Sequence, residues 1–278
     1  MANALNQAQS DFWNHLAGPV WVSEKERLDR FSAHFLERGM ARLAPKAGQR
    51  VLDVGCGTGA STLALAEAVG SAGKVIGVDI CRVMLDAARG ALSAHKHAEL
   101  LEADAQTYQP ASPVHLVFSR FGVMFFEDPP AAFDNLRQTL SVGGKLGFLC
   151  WRAREENEWA TLPMAAAAEV IDPPTTDPEA PGPFRMQNGT RVVELLMNAG
   201  FDDAEVEALD HSAVFEVAEA CEFFSRVGPM AAFLREADDA TAEQLQSALR
   251  AALEARAQGG DRVELQAAAW WVSATRAE

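Results

Sequence analysis

Cysteine is scarce in this chain of 278 residues: Cys56, Cys81, Cys150 and Cys221 are scattered, with no Cys-x-x-Cys spacing among them. Thiols so placed argue against a disulfide framework and a zinc site, and they fit a reducing cytoplasm. Long apolar runs are missing as well. None approaches the ~18–20 residues of a membrane-spanning helix, and residues 1–10 are polar, without the apolar stretch of a signal peptide. Basic residues are in deficit, 24 Lys and Arg against 39 Asp and Glu, for a formal net charge of −15. Such a surface repels nucleic acid and anionic lipid on average, so neither is an expected partner. There is no internal repeat and no low-complexity tail. What remains is an ordinary globular composition, 49% hydrophobic and 23% charged. Its length suits one large domain, or a core domain with a smaller cover.

The pattern along the chain has three parts. Residues 6–15 read as a short helix carrying Phe12 and Trp13; after Gly18-Pro19, Ser23 is placed to cap a longer one, with Leu28, Phe31, Phe35 and Leu36 at helical spacing. From residue 50, strands and helices alternate: strands at 50–54, 74–79, 99–103, 114–120 and 145–151, helices at 60–69, 83–94 and 131–140. That alternation predicts an α/β fold with a mostly parallel sheet and helices on both faces. After Trp151 the rhythm breaks into a helix near 158–170 and a connector, 172–183, with five prolines. A helix near 191–199 ends at Gly200 and a strand follows at 204–209. Residues 216–257 are helical, divided by Gly228-Pro229, and a last strand spans 267–275.

Residues 51–60, Val-Leu-Asp-Val-Gly-Cys-Gly-Thr-Gly-Ala, run a short apolar strand into a turn of alternate glycines at the mouth of a helix. Such a turn brings backbone N–H groups close to a ligand, because glycine has no Cβ and tolerates positive φ. Gly55-x-Gly57-x-x-Ala60 satisfies the dinucleotide fingerprint, and Asp79 stands where a ribose-binding acid belongs, so an NAD-dependent oxidoreductase is one reading. Three details point elsewhere. Asp53, two residues ahead of the first glycine, would repel a pyrophosphate but can meet an ammonium group. Glu102-Ala103-Asp104-Ala105 offers a further acid, suited to accept from an adenine amino group. Two helices bearing aromatics precede the motif and would cover the site from the N-terminal side.

Together these residues resemble the class I S-adenosylmethionine-dependent methyltransferases, especially the group related to quinone-biosynthesis methyltransferases. The resemblance runs through 51–59, through Val-Ile-Gly-Val-Asp-Ile at 75–80 with Met84 after it, and through 102–105. It continues through Leu-Val-Phe-Ser-Arg-Phe-Gly-Val-Met-Phe-Phe at 116–126 and Gly143-Gly144-Lys145. It implies a Rossmann-like sheet of seven strands with the last antiparallel, carrying helical lid insertions. It implies S-adenosyl-L-methionine as cofactor: Gly55 and Gly57 beside its methionine part with Asp53 near the ammonium, and Asp79 on the ribose. Asp104 and Ala105 would then meet the adenine edge, with Ile80 and Met84 against its faces. Arg120 is a candidate for the cofactor carboxylate, and Trp21 for the cover over the cofactor.

The expected organisation is an N-terminal helical lid at 1–45, a cofactor-binding core at 46–151 and a lid insertion at 152–190. Residues 191–215 and 263–278 complete the sheet, and 216–262 form a helical cover. Three additions at one sheet edge suit a roofed pocket for a small-molecule methyl acceptor. Trp13, Phe121, Met124 and Trp151 are candidate linings, as are Arg152, Trp159, Phe184 and Phe224. No residue carries a strong base signature; His15, Arg120 and His211 are the candidates for a catalytic role, and no metal site is expected. A non-catalytic cofactor-binding protein, or an enzyme using the sulfonium for another reaction, are the remaining readings. A cytoplasmic monomer or homodimer is expected.

Overall fold

The computed structural model describes residues 6–175 and 177–277. Residues 1–5 of the polar N-terminal stretch and Thr176 of the proline-rich connector lie outside the described residues. The chain divides into two units, the first made of Met1–Trp151, Glu179–Leu209 and Ala269–Glu278, the second of Arg152–Pro178 and Asp210–Ala268. The segment 152–190, expected as one insertion, is thus shared between them.

In the first unit β1 (Arg50–Val54) pairs in parallel with β2 (Lys74–Asp79), Asp53 opposite Gly77. On its other side β1 pairs with β4 (Val114–Arg120), Leu52 opposite Val117. β3 (Ala98–Glu102) lies outside β2, and β5 (Leu140–Trp151) beside β4, both parallel. β7 (Arg262–Thr275) runs antiparallel to β5 with Trp270 opposite Cys150, and β6 (Asp202–Glu216) closes the order β3-β2-β1-β4-β5-β7-β6. This is the Rossmann-like sheet of seven strands anticipated above. Val51, Leu52, Val75, Val78, Val117, Phe118 and Phe148 are fully buried, as strands covered on both faces require. The strand order reverses between β1 and β4, and at such a switch point an open sheet leaves its ligand crevice at the carboxyl ends.

The N-terminal segment differs from expectation. α1 (Gln7–Phe12), a π-helical turn (Trp13–Ala17) and α2 (Gly18–Ser23) follow without a break. Pro19 falls in the first turn of α2, where its missing N–H costs nothing. Ser23 does not cap the next helix: its hydroxyl donates back to the Val20 carbonyl at 2.8 Å, and α3 (Lys25–Leu43) begins after Glu24. α3 buries Phe31, Phe35, Gly39 and Leu43, one stripe at four-residue spacing. α4 (Ala60–Val69), α5 (Arg82–Ala91) and α6 (Pro129–Thr139) follow β1, β2 and β4.

The second unit contains α7 (Glu158–Ala168), α9 (Val217–Arg226), α10 (Pro229–Glu236) and α11 (Asp239–Arg256); α8 (Gly189–Asn198) belongs to the first unit. Leu245, Leu249 and Leu253 of α11 are fully buried. Both last strands are longer than expected, because Ala213 and Phe215, then Val263, Leu265 and Ala267, alternate buried with exposed neighbours at strand period. Asn157 is the polar joint of this unit. Its Oδ1 accepts from the Ala268 N–H at 2.9 Å and the Trp159 indole N–H at 2.8 Å, and its Nδ2 donates to the Ala153 and Ala268 carbonyls at 3.0 and 3.2 Å. Asn157→Ala strands several buried groups at once and should cost about 2–3 kcal/mol, read as faster hydrogen exchange over residues 262–268; unchanged exchange would refute this role.

Candidate functional site

The site is built around the carboxyl ends of β1, β2 and β4, all in the first unit. β1 leads into Gly55, Gly57 and Gly59 with φ of +65°, +53° and +88°. A Cβ on Gly55 would fall 2.9 Å from the Gly122 Cα, and one on Gly122 would fall 2.9 Å from the Val54 carbonyl oxygen. The loop after β1 and the turn after β4 therefore meet backbone to backbone. Asp53 lies fully buried. Its Oδ2 accepts from the Ser61 and Thr62 hydroxyls at 2.7 and 2.6 Å, tying β1 to the first turn of α4, while Oδ1 is buried without a partner. Burial raises this carboxyl to about 6, against the hydroxyls of Thr62 and Ser61 and the Arg120 charge, which lower it.

Asp79, the last residue of β2, clamps the loop. Its Oδ2 accepts from the Gly57 N–H and its Oδ1 from the Cys81 N–H, both at 2.8 Å. Each oxygen retains an acceptor site. Burial raises it too to about 6, although the backbone N–H groups of Cys81, Gly57 and Ile80 pull the other way. Beyond it Ile80 and Met84 join Trp13, Trp21, Phe125, Ala17, Cys81 and Val22 in one apolar cluster. Trp13 meets Trp21 and Phe125 edge-on at 5.3 and 5.1 Å. Asn14 docks the N-terminal segment there: its Nδ2 donates to the Ile80 carbonyl and its Oδ1 accepts from the Arg82 N–H, both at 2.9 Å. The expected slot residues and the two N-terminal tryptophans are thus brought together. Asp104 closes an Asx turn, accepting from the Gln106 N–H at 2.9 Å and its side-chain amide at 3.2 Å, next to buried Ala105.

Arg120 ends β4 with its guanidinium on the Ser32 hydroxyl at 2.6 Å and the Asp29 carboxylate at 3.3 Å, both from α3. Phe121 follows in the left-handed region, φ +61°, which costs a non-glycine residue roughly 1–2 kcal/mol. Its ring stacks on Trp151 with centroids 4.0 Å apart and planes 11° apart, and Phe35 abuts both rings edge-on. Met124 is buried, its Sδ accepting from the Trp151 N–H. Its carbonyl accepts from the Gly182 N–H at 3.2 Å, which fastens the turn carrying Phe184.

Of the remaining candidates, Arg152, Trp159, Phe224 and His211 belong to the second unit. In the second unit Arg152 is held by Asp210 at 2.7 Å and by Glu156. Trp159 is buried on Asn157, and Phe224 is buried with Phe215 and Phe223 in that unit's own core. His15 is exposed, its Nδ1 on the Asp11 carbonyl, and His211 lies half-buried on β6. Among the described residues no His, Cys, Asp or Glu cluster is arranged to hold a metal ion. Ser61, Thr62, Asn14, Gln106 and Phe125 are site residues that sequence reasoning missed. For Ser61 and Thr62 a signal existed, two hydroxyls in the first turn after the glycines.

Asp53 and Asp79 hold their protons more firmly folded than unfolded, since about 6 exceeds the ordinary 3.8. Their contribution to stability is full below the unfolded value and is lost as pH rises through the folded one. Asp53→Asn removes one of the two titrations. Unfolding free energy from urea titrations should then fall about half as steeply between pH 4 and pH 7 as in the parent protein; identical slopes would contradict the assignment.

Known proteins resemble the chain over this stretch. Residues 51–144 match the model of a family described as a methyltransferase domain. The chain is 35% identical over 127 residues to aklanonic acid methyltransferase DauC of Streptomyces sp. strain C5, covering 43% of this chain and 58% of that one. It is 30% identical over 129 residues to demethylmenaquinone methyltransferase of Staphylococcus aureus strain MRSA252, covering 46% and 51%. The chain thus spans a little over half the length of these curated relatives. The YcgJ protein of Bacillus subtilis shares the fold, with a TM-score of 0.58 at 15% identity over 88% of this chain and 99% of that one. Through residues 51–144 the chain is thus similar to a family of methyltransferase domains.

Proposed function

We propose that this protein transfers the methyl group of S-adenosyl-L-methionine to a small organic acceptor. The observation that carries the reading is the pair of buried carboxyls behind a glycine loop at the switch point, one of them with an unpartnered oxygen. Such a site is short of hydrogen-bond donors and positive charge, and a ligand with an ammonium group and ribose hydroxyls supplies both. The side chains present fit that ligand. Gly55 and Gly57 leave its methionine part room for close approach, and Asp53 provides negative charge from beneath the loop. Asp79 has lone pairs for the ribose, Asp104 and Ala105 offer a polar edge for adenine, and Ile80 and Met84 offer its flat apolar wall. Arg120 suits the carboxylate, and Trp21 contributes to the cover over the slot.

Bound, the cofactor supplies a methyl group already activated on a sulfonium. The chain's own task is to orient donor and acceptor in line and to exclude water, which needs no dedicated metal or nucleophile. On the acceptor side the candidates in the first unit are Trp13, Phe121, Met124, Trp151 and Phe184. The relatives named above act, by their names, on aklanonic acid and demethylmenaquinone, which supports a small-molecule acceptor here. The net charge of −15 weighs against nucleic acid as a partner. No helix among the described residues is long and apolar enough to cross a membrane, and the four cysteines are free and buried, which supports a place in the cytoplasm.

Calorimetry with S-adenosylhomocysteine tests this directly. Binding should be in the micromolar range and should tighten from pH 5 to pH 7 with proton release, because the ligand favours ionised Asp53 and Asp79. Asp79→Ala should weaken it by about tenfold or more. No heat with either S-adenosylhomocysteine or S-adenosylmethionine would overturn the reading.

A further inference from the structure

The loop after β3 carries a buried amide among exposed neighbours. Gln106 is only 8% exposed, while Thr107 and Gln109 beside it are open to solvent. A glutamine seldom leaves water unless its polar ends find partners. Its Oε1 accepts from the Asp128 N–H at 2.9 Å. A backbone N–H can only donate, so this contact fixes which way round the amide lies. Nε2 therefore faces Asp104 and donates to its Oδ2 at 3.2 Å, while the Gln106 N–H donates to Oδ1 at 2.9 Å. Gln106 thus holds both oxygens of the Asp104 carboxylate. The far end of the bridge is firm. Asp128 caps α6, its Oδ1 accepting from the Ala131 N–H at 3.1 Å. Asn135 of α6 fastens the same loop, donating to the Ala105 and Tyr108 carbonyls at 3.0 and 3.1 Å.

We propose that Gln106 is a positioning residue: it aims the Asp104 carboxylate at the 6-amino group of the cofactor's adenine, and the site's selectivity for that group depends on it. This rests on the methyltransferase reading, which puts the adenine edge at Asp104. Asp104 is half-buried, and without the bridge its side chain would turn between rotamers and satisfy itself with water. Held at both oxygens, it keeps lone pairs that accept from an amino group. A purine lacking that group leaves the fixed carboxylate short of a donor, and such a deficit is what makes a polar site selective. A carboxylate free to swing aside loses little when the amino group is missing.

The test measures, by calorimetry, the affinity for S-adenosylhomocysteine and for its 6-deamino analogue, whose purine carries hydrogen in place of the amino group. The parent protein should bind S-adenosylhomocysteine about tenfold more tightly than the analogue. Gln106→Leu removes both side-chain contacts at similar size. The preference should then shrink to within about threefold, through weaker binding of S-adenosylhomocysteine and not of the analogue. Gln106→Glu keeps the oxygen that accepts from the Asp128 N–H but sets a second carboxylate against Asp104, and it should reduce the preference likewise. A loop that has merely loosened weakens both ligands by the same factor, so the ratio separates aiming from support. Equal binding of the two ligands by the parent protein, or a preference unchanged in both variants, would overturn the role of Gln106. Failure of the parent protein to bind either ligand would instead overturn the methyltransferase reading, and this role with it.

Discussion

β1 and β4 converge until Gly55 and Gly122 touch through their backbones, with no space for a side chain at either position. Ser119 secures the same contact, its hydroxyl donating to the Val54 carbonyl at 2.8 Å and accepting from the Gly122 N–H at 3.2 Å. Because the two turns are pressed together, what precedes and follows them lies at one edge. Asp53 and Asp79 sit behind the loop, and Arg120 and Phe121 stand across from it. A bulkier residue at either glycine would push the turns apart and dissolve the grouping.

The electrostatics of that edge follow from burial. Two carboxyls removed from water ionise reluctantly, and the donors that soften this are local: two hydroxyls for Asp53, backbone N–H groups for Asp79. Neither carboxyl has an ion-pair partner in contact. The Arg120 charge reaches Asp53 only at longer range, while its guanidinium is engaged by Asp29 and Ser32 of α3. A site so arranged keeps unspent acceptor capacity, and a ligand rich in donors relieves the cost of ionisation. The same groups that make the ligand-free site unfavourable at neutral pH make it receptive.

The two units divide the work differently from the sequence pattern. The first unit holds the glycine loop with Asp53, Asp79, Arg120 and Phe121 and draws in the N-terminal helical segment through Asn14 and the Trp13 cluster. The second has an interior of its own, with Asn157 as its polar joint and Phe215, Phe223 and Phe224 in its core. Phe224, attractive in sequence as a pocket wall, is an interior residue for that reason.

The sheet was legible because its strands alternate with helices at regular intervals and are apolar along their length. The glycine loop was legible because positive φ leaves a glycine signature, and Asp79 and Asp104 because they follow strands at fixed positions. Ser23 misled, since a hydroxyl before a helix can bond backward as readily as forward, and nothing local decides which. The ends of β6 and β7 were hidden because short alternating runs look alike in insertions and in strands. Sequence by itself thus determined the architecture and the glycine loop, both of which depend on local period and on residues close along the chain. Tertiary structure alone decided that Asp53 lies under the loop and that Arg120 is engaged by α3. It alone set Phe121 against Trp151 in a strained turn. Those outcomes depend on which distant segments share a volume, and burial and pairing across that distance leave no local pattern.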